Sequence, residues 1–599
     1  MKSSFRMKPL KIGWASVSLL TLIRAGHAGE SAVPGQLVVP GVSSGVLLQH
    51  YQGVLAPDAN APVGARGEHK PTMAQRAEQG RTLRVMVKHF VLSEPLPGPA
   101  AAKAQQIFTA FEGRQLGSAD VVRVRNLLNA MLSREMDALT YARLPQQDIS
   151  DGIVHFEIER GRIGRLELNN RSRVSNSVVS HYLPSNDVGE RRNLDALAQM
   201  NRRLSALPGI GQAAVSLAPG DEPGTTNVTA NITPASPIEG VLLANNSGAP
   251  SSGANMVGAQ VALNSPLGIG DRLQSTLFYA PPGAQNAVGQ GGHTSFAALS
   301  YDAPVGYRGT RGGVQYNRVD YTQGGPGDLR ELFDGHGSAD GIRTYVSHPL
   351  LARDDANVTM GASLEHKNLK DSFFGVMSRR RLWTGGASVS GFKAGQLAAR
   401  PNVVRFDAEL KAGQVQVLDV GINDDAAGDL SRSLISRRFA KLSVGGEYLQ
   451  LIRPGLTFSL KGNAQFSLPR HHLDPSEQMS LGGAQGVRGY DSGLSTVDQG
   501  ALMSTTLTQA LEPIPGLSMS VFYDRGNGQI SRSNIAAGGC GCTIPDNLMT
   551  VQAAGVGLDY HYGSKFSVSV VYARQIGAVP ENQYQRRRAQ TWVNAKLAF

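Results

Sequence analysis

Cysteine and long apolar runs are both scarce in this chain of 599 residues. The only two cysteines, Cys540 and Cys542, are too close in sequence for an unstrained disulfide, so no disulfide framework is expected. Two thiols without further ligands give only weak support for a metal site, and we interpret them as part of an exposed loop. Beyond the N-terminal region no apolar run is long enough for a membrane-spanning helix, which argues against a helical membrane bundle.

Aspartate and glutamate are also fewer than lysine and arginine, 47 against 58, so the formal net charge is +11. The excess lysines and arginines are scattered through segments with strand-like alternation, and no dense basic stripe is visible. A nucleic-acid partner is therefore not expected, because nucleic-acid binding requires clustered positive charge.

The first residues carry a targeting pattern. Residues 1–28 combine early lysines and an arginine with a short apolar stretch and small residues before Ala28, which predicts a secretory signal peptide. The alternative is an N-terminal anchor helix. Arg24 argues against it, because it ends the apolar stretch before the length of a membrane span. Residues 29–81 are rich in proline, glycine and alanine, and only residues 43–53 in this segment could form a helix.

Two small mixed units follow. Residues 82–160 and 161–235 each show a strand, two segments of helical spacing and two further strands, which predicts two successive β-α-α-β-β domains. The helices are expected over residues 102–111, 119–132 and 194–207. Small sheets of this kind expose edges to which an extended partner chain can add as a further strand.

Residues 236–599 lack helical spacing and instead contain short alternating segments separated by turn residues. Their number and spacing predict a transmembrane β-barrel of about 16 antiparallel strands. In the last segment Val593 and Leu597 alternate with Trp592, Asn594 and Lys596, so we expect apolar side chains to face lipid and polar ones the lumen. The alternative is a soluble sandwich or propeller, against which no blade-length repeat is visible.

Candidate catalytic or metal-binding groups are isolated. His471 and His472 have no third ligand at a recognisable spacing, so a polar loop is expected rather than a metal site. Four carboxylates on alternating strands are expected to be ordinary lumen-facing charges, because no nucleophile or phosphate-binding motif accompanies them: Asp320, Glu365, Asp407 and Glu409. We therefore expect no catalytic activity, metal or cofactor.

One loop tip, residues 486–491, combines an arginine with two glycines and a tyrosine. Counting strands places this tip in an extracellular connection between the eleventh and twelfth strands, and places Asp524 on the thirteenth. A guanidinium can pair with a carboxylate through two hydrogen bonds, and glycine permits the close backbone approach that such a pair requires. The sequence thus predicts that Arg488 pairs with Asp524 and holds the loop inside the barrel.

Motifs at several positions follow one family pattern: Pro145, Gln147, Asp148 and Gly152; Leu207, Pro208 and Gly220; Val487, Arg488, Gly489 and Tyr490 at the loop tip; Phe522, Asp524 and Gly526 on the thirteenth strand; and the terminal Phe599. Together these motifs resemble those of the TpsB outer-membrane transporters of two-partner secretion, in the superfamily that includes BamA. Residues 145–152 are similar to the signature of the first polypeptide-transport-associated (POTRA) domain, and residues 193–224 resemble the second.

The resemblance implies an outer-membrane location with the POTRA domains in the periplasm. It implies that residues 43–53 form a plug helix in the pore and that Phe599 is the signal for barrel assembly. The implied partners are a secreted TpsA-type client, outer-membrane lipids and lipopolysaccharide, and the barrel-assembly machinery. A BamA-like assembly factor and an outer-membrane hydrolase are the alternatives, disfavoured by the two POTRA-like units and by the missing nucleophile.

Overall fold

The fold is described from a computed structural model of the chain. It describes residues 43–55, 85–136, 139–149, 151–160, 162–183, 194–219, 225–282, 291–324, 335–373, 376–420, 437–468, 472–493, 496–532, 547–577 and 588–599. All of these residues belong to one compact unit, Pro40–Phe599. The predicted signal peptide and the cysteine pair lie outside the described residues. Among the described helices, none is both long and apolar enough to cross a membrane.

The first mixed unit contains β1 (Val85–Val87), β2 (His89–Leu92), α2 (Gly98–Thr109), β3 (Arg114–Leu116), α3 (Ser118–Glu135), β4 (Thr140–Arg143) and β5 (Ile153–Arg160). Its three-stranded sheet has the order β2-β5-β4, with β2 and β5 parallel. Helix α3 buries Val121, Val124, Leu128 and Leu132, whose spacing places them on one face toward this sheet.

The expected first strand of this unit is divided in two, and β3 is an additional strand that the sequence pattern did not predict. The division falls at Lys88, because its backbone N–H and that of His89 both donate to the carbonyl of Gly152, at 2.7 Å and 3.3 Å. Strand β1 consequently leaves the main sheet and pairs with β3.

The second mixed unit contains β6 (Arg162–Asn170), α4 (Asn176–Ser180), α5 (Leu194–Ser205), β7 (Ile210–Pro219) and β8 (Thr225–Pro234). Its sheet has the order β6-β8-β7, with the central strand β8 parallel to β6. Its core includes Val179, Leu204 and Ile232. Both units therefore have the same parallel pairing of their first and last strands.

Sixteen antiparallel strands form a closed barrel, which confirms the predicted fold class. The strands are β9 (Ile238–Asn245), β10 (Met256–Asn264), β11 (Arg272–Ala280), β12 (Thr294–Pro304), β13 (Arg311–Gln323), β14 (Gly335–Ala352), β15 (Ala356–Phe373), β16 (Val376–Leu397), β17 (Arg400–Val420), β18 (Arg438–Arg453), β19 (Leu456–Ser467), β22 (Gln499–Ala510), β23 (Leu517–Gln529), β24 (Leu548–Tyr562), β25 (Phe566–Gln575) and β26 (Ala589–Ala598). The short strands β20 (Met479–Ser480) and β21 (Thr496–Val497) pair with each other within the loop that joins β19 to β22.

The barrel closes where β26 pairs with β9. Phe599 continues this seam, because it and Gly240 exchange backbone hydrogen bonds of 3.0 Å and 2.9 Å. The Phe599 ring lies over Gly240, where a side chain would collide with it. The chain terminus is thus part of barrel closure.

The predicted polarity of the two barrel faces is reversed in part of the wall. On β13, β15 and β16 the apolar side chains Val319, Leu369 and Leu382 are buried inside the barrel. They pack in one cluster with Leu47 and Leu48 of helix α1 (Ser44–Leu55). Because helix α1 packs against these positions, this part of the inner wall is apolar.

Candidate functional site

The loop between β19 and β22 folds into the barrel. Val487 and Tyr490 of its tip are buried, at 0% and 1% exposure, in a cluster with Met549, Val551 and Ala553 of β24. These wall residues alternate with exposed positions along β24, so the cluster lies on the inner face. The loop tip is therefore fixed against the barrel wall.

Arg488 and Asp524 form the predicted ion pair. Arg488 Nε donates to Asp524 Oδ2 at 2.8 Å, and Nη2 donates to Oδ1 at 2.7 Å. The backbone N–H of Arg488 donates to the same carboxylate at 3.2 Å. Ser504 Oγ on β22 accepts from Arg488 at 3.1 Å and donates to Asp524 at 2.7 Å. The guanidinium carbon lies 3.4 Å from the centroid of the Phe522 ring, a cation–π contact.

Further hydrogen bonds attach the tip to the last strands. Trp592 Nε1 on β26 donates to the carbonyl of Arg488 at 2.7 Å, and Gln575 Nε2 on β25 donates to that of Gly489 at 2.9 Å. Ser492 Oγ donates to the carbonyl of Ser247, in the loop after β9, at 2.7 Å. The tip thus spans the inner side of the seam where the first and last strands meet.

Helix α1 lies inside the barrel and contacts the same loop. The backbone N–H of Ser44 donates to Asp371 Oδ1 of β15 at 2.7 Å. A β-carbon added to Gly45 would lie 2.5 Å from Ser476 Cβ, in the 3₁₀ turn Pro475–Glu477 of the loop. The N-terminal turn of the helix therefore packs directly on the loop as well as on the wall.

Ion pairs surround this contact and join the helix, the loop and the wall. Arg380 on β16 pairs with Asp371, which holds the helix, and with Asp474 of the loop at 2.7 Å. Tyr321 on β13 donates to the same oxygen of Asp371 at 2.7 Å. One buried arginine therefore connects the groups that fix the helix and the loop.

Glu477 of the loop is the centre of a second set of charges. Its carboxylate lies 2.9 Å from Nζ of both Lys367 and Lys441 and 3.8 Å from that of Lys411. Glu365 lies 3.4 Å from Lys411 and 3.7 Å from Lys367.

Together these groups form the lumen charge network, which contains equal numbers of acids and bases: Glu365, Asp371, Asp474, Glu477, Lys367, Arg380, Lys411 and Lys441. Lys411 is the most exposed of the eight, at 15% of its side chain, so the network is largely removed from water. Buried charges are tolerated only when paired, and removing one partner is strongly destabilising.

Sequence reasoning did not identify this network. The available signal was the spacing of Glu365, Lys367 and Asp371, which period-two alternation places on one face of β15. The partners Asp474 and Glu477 come from a loop about a hundred residues later in the chain, and strand alternation carries no information about that distance.

The remaining predicted site residues lie in the mixed units. Gln147 exchanges hydrogen bonds of 2.7 Å and 2.8 Å with the backbone of His155 and so orders the segment before β5. Pro145 accepts a further bond from Gln147 at 3.4 Å, and Asp148 is exposed. Gly152 has φ +79°, a left-handed conformation that favours glycine. Gly220 lies outside the described residues.

The second unit contacts the barrel through the turns between strands. Leu207 packs against Gly270 in the turn after β10, and Ser175 N–H donates to the carbonyl of Gly268 in the same turn at 2.8 Å. Pro208, which follows Leu207, is half-buried at this junction. His181 stacks on Tyr307 of the turn after β12, with ring centroids 4.5 Å apart.

Other candidates from the sequence are placed as follows. His472 lies 3.2 Å from the Asp498 carboxylate and 3.2 Å from Gln478 Nε2, within the loop, whereas His471 lies outside the described residues. Gly526 lies on the inner face of β23, where a β-carbon would meet Leu502 and Val551.

The expectation that all four carboxylates face the lumen is wrong for one of them. Asp320 lies on the outer face of β13, paired with Arg318 through two 2.8 Å hydrogen bonds, because helix α1 makes the inner face apolar at this level. Glu365 belongs to the lumen charge network, and Glu409 lies 3.9 Å from Arg343. Asp407 is exposed and lies beside Gly445 of the neighbouring strand.

A family model described as haemolysin secretion/activation protein ShlB/FhaC/HecB matches residues 224–545, more than half of the chain. The heme/hemopexin transporter protein HuxB of Haemophilus influenzae strain 86-028NP is 23% identical over 474 residues, 78% of this chain and 80% of that protein. The outer membrane transporter CdiB of Escherichia coli is 24% identical over 391 residues, 62% of this chain and 60% of that protein.

Two solved structures have a similar fold. CdiB from Escherichia coli superposes with a TM-score of 0.65 at 19% identity, covering 94% of this chain and 100% of that chain. CdiB from Acinetobacter baumannii superposes with a TM-score of 0.59 at 18% identity, covering 92% and 96%.

Proposed function

Because this chain belongs to the haemolysin secretion/activation protein family ShlB/FhaC/HecB, we propose that its barrel is the pore through which one large partner protein leaves the cell. The chain is an outer-membrane transporter of two-partner secretion. Family membership favours secretion over the alternative of a barrel-assembly factor.

The observation that carries the mechanism is the polar attachment of the two segments that fill the lumen. The loop tip is held by Arg488 and Asp524, and helix α1 by Asp371. Charge-assisted hydrogen bonds are directional, and the Arg488 pair in a partly wet lumen is expected to contribute about 1–3 kcal/mol. Water and a polar client backbone can replace such bonds, so these polar attachments can be released without unfolding the wall.

Capture of the client is assigned to the mixed units. Residues 82–160 and 161–235 are proposed to be two periplasmic POTRA domains. Their sheets end in β2 and β4 in the first unit and in β6 and β7 in the second. An unfolded client can pair with such an edge strand through its backbone, which recognises extended chain with little dependence on sequence.

The energy for export is proposed to come from folding of the client outside the cell, with no catalytic step. The family is one of transporters rather than a class of enzymes. The relatives differ in their named roles, heme/hemopexin transport for HuxB and outer-membrane transport for CdiB, so the client of this chain is proposed only as a TpsA-type secreted protein. Other proposed partners are outer-membrane lipids with lipopolysaccharide, and the assembly machinery that recognises Phe599.

Co-expression with a candidate secreted protein from a neighbouring gene tests the function. We expect the client in the medium to fall about tenfold for Arg488→Ala, at an unchanged amount of inserted barrel, because the loop tip loses the ion pair that positions it inside the barrel. Arg525→Ala is the matched control, because Arg525 is the next residue after Asp524 and lies exposed on the outer face of β23. Equal export by both variants would refute the proposed role of the Arg488–Asp524 pair in export. No client in the medium with the unaltered chain would refute the function.

A further inference from the structure

The outer face of four neighbouring strands changes from largely apolar to polar along one row of paired residues. Tyr316, Ile342, His366 and Trp383 are adjacent in register on β13, β14, β15 and β16. Trp383 is 53% exposed and stacks on His366 with ring centroids 4.2 Å apart. Tyr316 and Trp383 are exposed aromatic side chains, which on a barrel are typical of the boundary between hydrocarbon and headgroups.

The next two outward positions toward the extracellular ends of these strands are polar, and we call them the polar band. The lower row is Arg318, Asp340, Asn368 and Arg381, and the upper row contains Asp320, Lys370 and Arg379. The strand pleat directs these side chains outward, because the alternate positions on the same strands face helix α1 and the lumen charge network. The polar band therefore faces the headgroup region.

Its acidic groups already have partners, whereas some of its cations do not. Asp320 is bound by Arg318 through two hydrogen bonds, and Asp340 accepts from Asn368 Nδ2 at 3.0 Å. Lys370 and Arg379 are exposed, and neither forms an ion pair with any carboxylate of the described chain.

Arg381 is also exposed and donates to Asn368 at 3.4 Å. Asp419 of β17 is the register partner of Arg379 at the edge of the band. Within the band four cations stand against two acids. The result is a set of donors suited to an anion with several oxygen atoms.

An apolar depression adjoins the band. It has a volume of about 460 Å³ and is lined by Val257, Leu277, Tyr279 and Ala297 on the outer wall, with Arg318 and Asp320 at its edge. A site with cationic donors beside an apolar depression at a membrane boundary matches a lipid with an anionic headgroup.

We propose that the polar band binds a phosphate of lipopolysaccharide in the outer leaflet, with one acyl chain in the adjoining depression. The inference rests on the outer-membrane location in the proposed function and is independent of client export. Arginine and lysine are the side chains that recognise phosphate. The neighbouring Tyr316 and Trp383 place the cations of the polar band at headgroup depth.

Binding of purified lipid A to the full-length chain in detergent, measured by native mass spectrometry, tests the proposal. We expect the triple variant K370Q/R379Q/R381Q to bind bis-phosphorylated lipid A about tenfold more weakly, because charge-assisted bonds to phosphate are lost. The matched control K393Q/R400Q/R453Q removes the same number of exposed cations near the periplasmic ends of β16 to β18 and should bind normally.

Two further measurements separate the headgroup from the acyl chain. Dephosphorylated lipid A should bind the unaltered chain as weakly as bis-phosphorylated lipid A binds the triple variant. Ala297→Trp fills the depression without changing charge and should also weaken binding. Equal binding of the two lipids, or of the triple variant and its control, would overturn the proposal. Client export measured in parallel distinguishes this failure from failure of the transporter function.

Discussion

Gly489 follows Arg488 in the loop tip and has no room for a side chain. A β-carbon there would lie 2.8 Å from Ala553 Cβ and 3.1 Å from Gln575 Cγ. Because this tip also receives the Gln575 hydrogen bond, added volume pushes it away from both neighbours.

Gly489→Ala should therefore weaken docking of the tip by about 1–3 kcal/mol, the usual cost of overpacking. The measurement is protease cleavage within the loop of the inserted barrel, which should become faster. Gly462→Ala is the control, because the nearest atom to its added carbon is 3.7 Å away on β22. Similar cleavage rates for both variants would contradict the packing argument.

Glu477 shows how much one buried charge contributes to the stability of the lumen charge network. Three lysines face its carboxylate, two of them at 2.9 Å. Glu477→Gln leaves the lumen charge network with one excess positive charge, and breaking such a buried pair typically costs about 3–5 kcal/mol. We expect the barrel to unfold at a lower temperature, measured as loss of the heat-modifiable band in gels.

Two comparisons test whether charge balance is the cause. The double variant E477Q/K441M restores neutrality and should recover part of the loss. Glu447→Gln removes a glutamate that pairs with Arg405 at 2.8 Å in a more exposed position, so its effect should be smaller. If Glu447→Gln proved as damaging as Glu477→Gln, burial of the network would not be the reason.

At the scale of elements, helix α1 and the 3₁₀ turn of the loop are fitted to each other through Gly45. The β-carbon of any other residue would lie 2.5 Å from Ser476 Cβ and 2.9 Å from its Cα. Both neighbouring atoms are close to the backbone of a buried turn, so a side chain at this position cannot be accommodated by a rotamer change.

Gly45→Val should displace the helix and raise the ion conductance of the barrel in planar bilayers. The effect is expected because Leu47 and Leu48 would leave the cluster that seals the inner wall. Gly385→Val is the control, since its nearest neighbour is the flexible Leu364 side chain at 3.6 Å. Unchanged conductance for Gly45→Val would mean that the helix does not restrict the pore.

The mixed units and the barrel are also joined at the scale of elements. The second unit reaches the turns after β10 and β12 through Ser175, Leu207 and His181. Burial raises the pKa of the neighbouring Tyr182 phenol above its ordinary value, so this side chain stays neutral. The contacts fix the unit against the turns at the periplasmic end of the barrel.

At the scale of the whole molecule, closure of the barrel depends on a short seam. Five residue pairs join β26 to β9, compared with eight between β9 and β10. The loop tip crosses the inner side of this seam. Phe599 lengthens the seam through its backbone hydrogen bonds with Gly240, and its ring covers Gly240.

Phe599→Ala should reduce the amount of folded, heat-modifiable barrel in the outer membrane, because it removes the ring that covers this end of the seam. Phe566→Ala is the matched control, an exposed phenylalanine on β25 opposite Leu597. Equal amounts of both folded barrels would show that the terminal ring is dispensable.

The sequence alone determined the barrel and the partners at its loop tip. Alternation and turn residues located all sixteen barrel strands, since period-two patterning is a local property. Residues 43–53 were expected to be helical, and helix α1 spans Ser44–Leu55. Arg488 and Asp524 were identified from motifs at their two positions, although 36 residues separate them.

Only the tertiary structure decided which face of each strand meets which neighbour. Asp320 turned outward and Val319 inward because helix α1 fills the lumen, a fact that the local pattern of β13 does not contain. The lumen charge network likewise exists only after the barrel closes, because Asp371 and Glu477 become neighbours of the same helix turn through folding. Strand patterning is local, whereas pairing of buried charges depends on contacts between segments far apart in the chain.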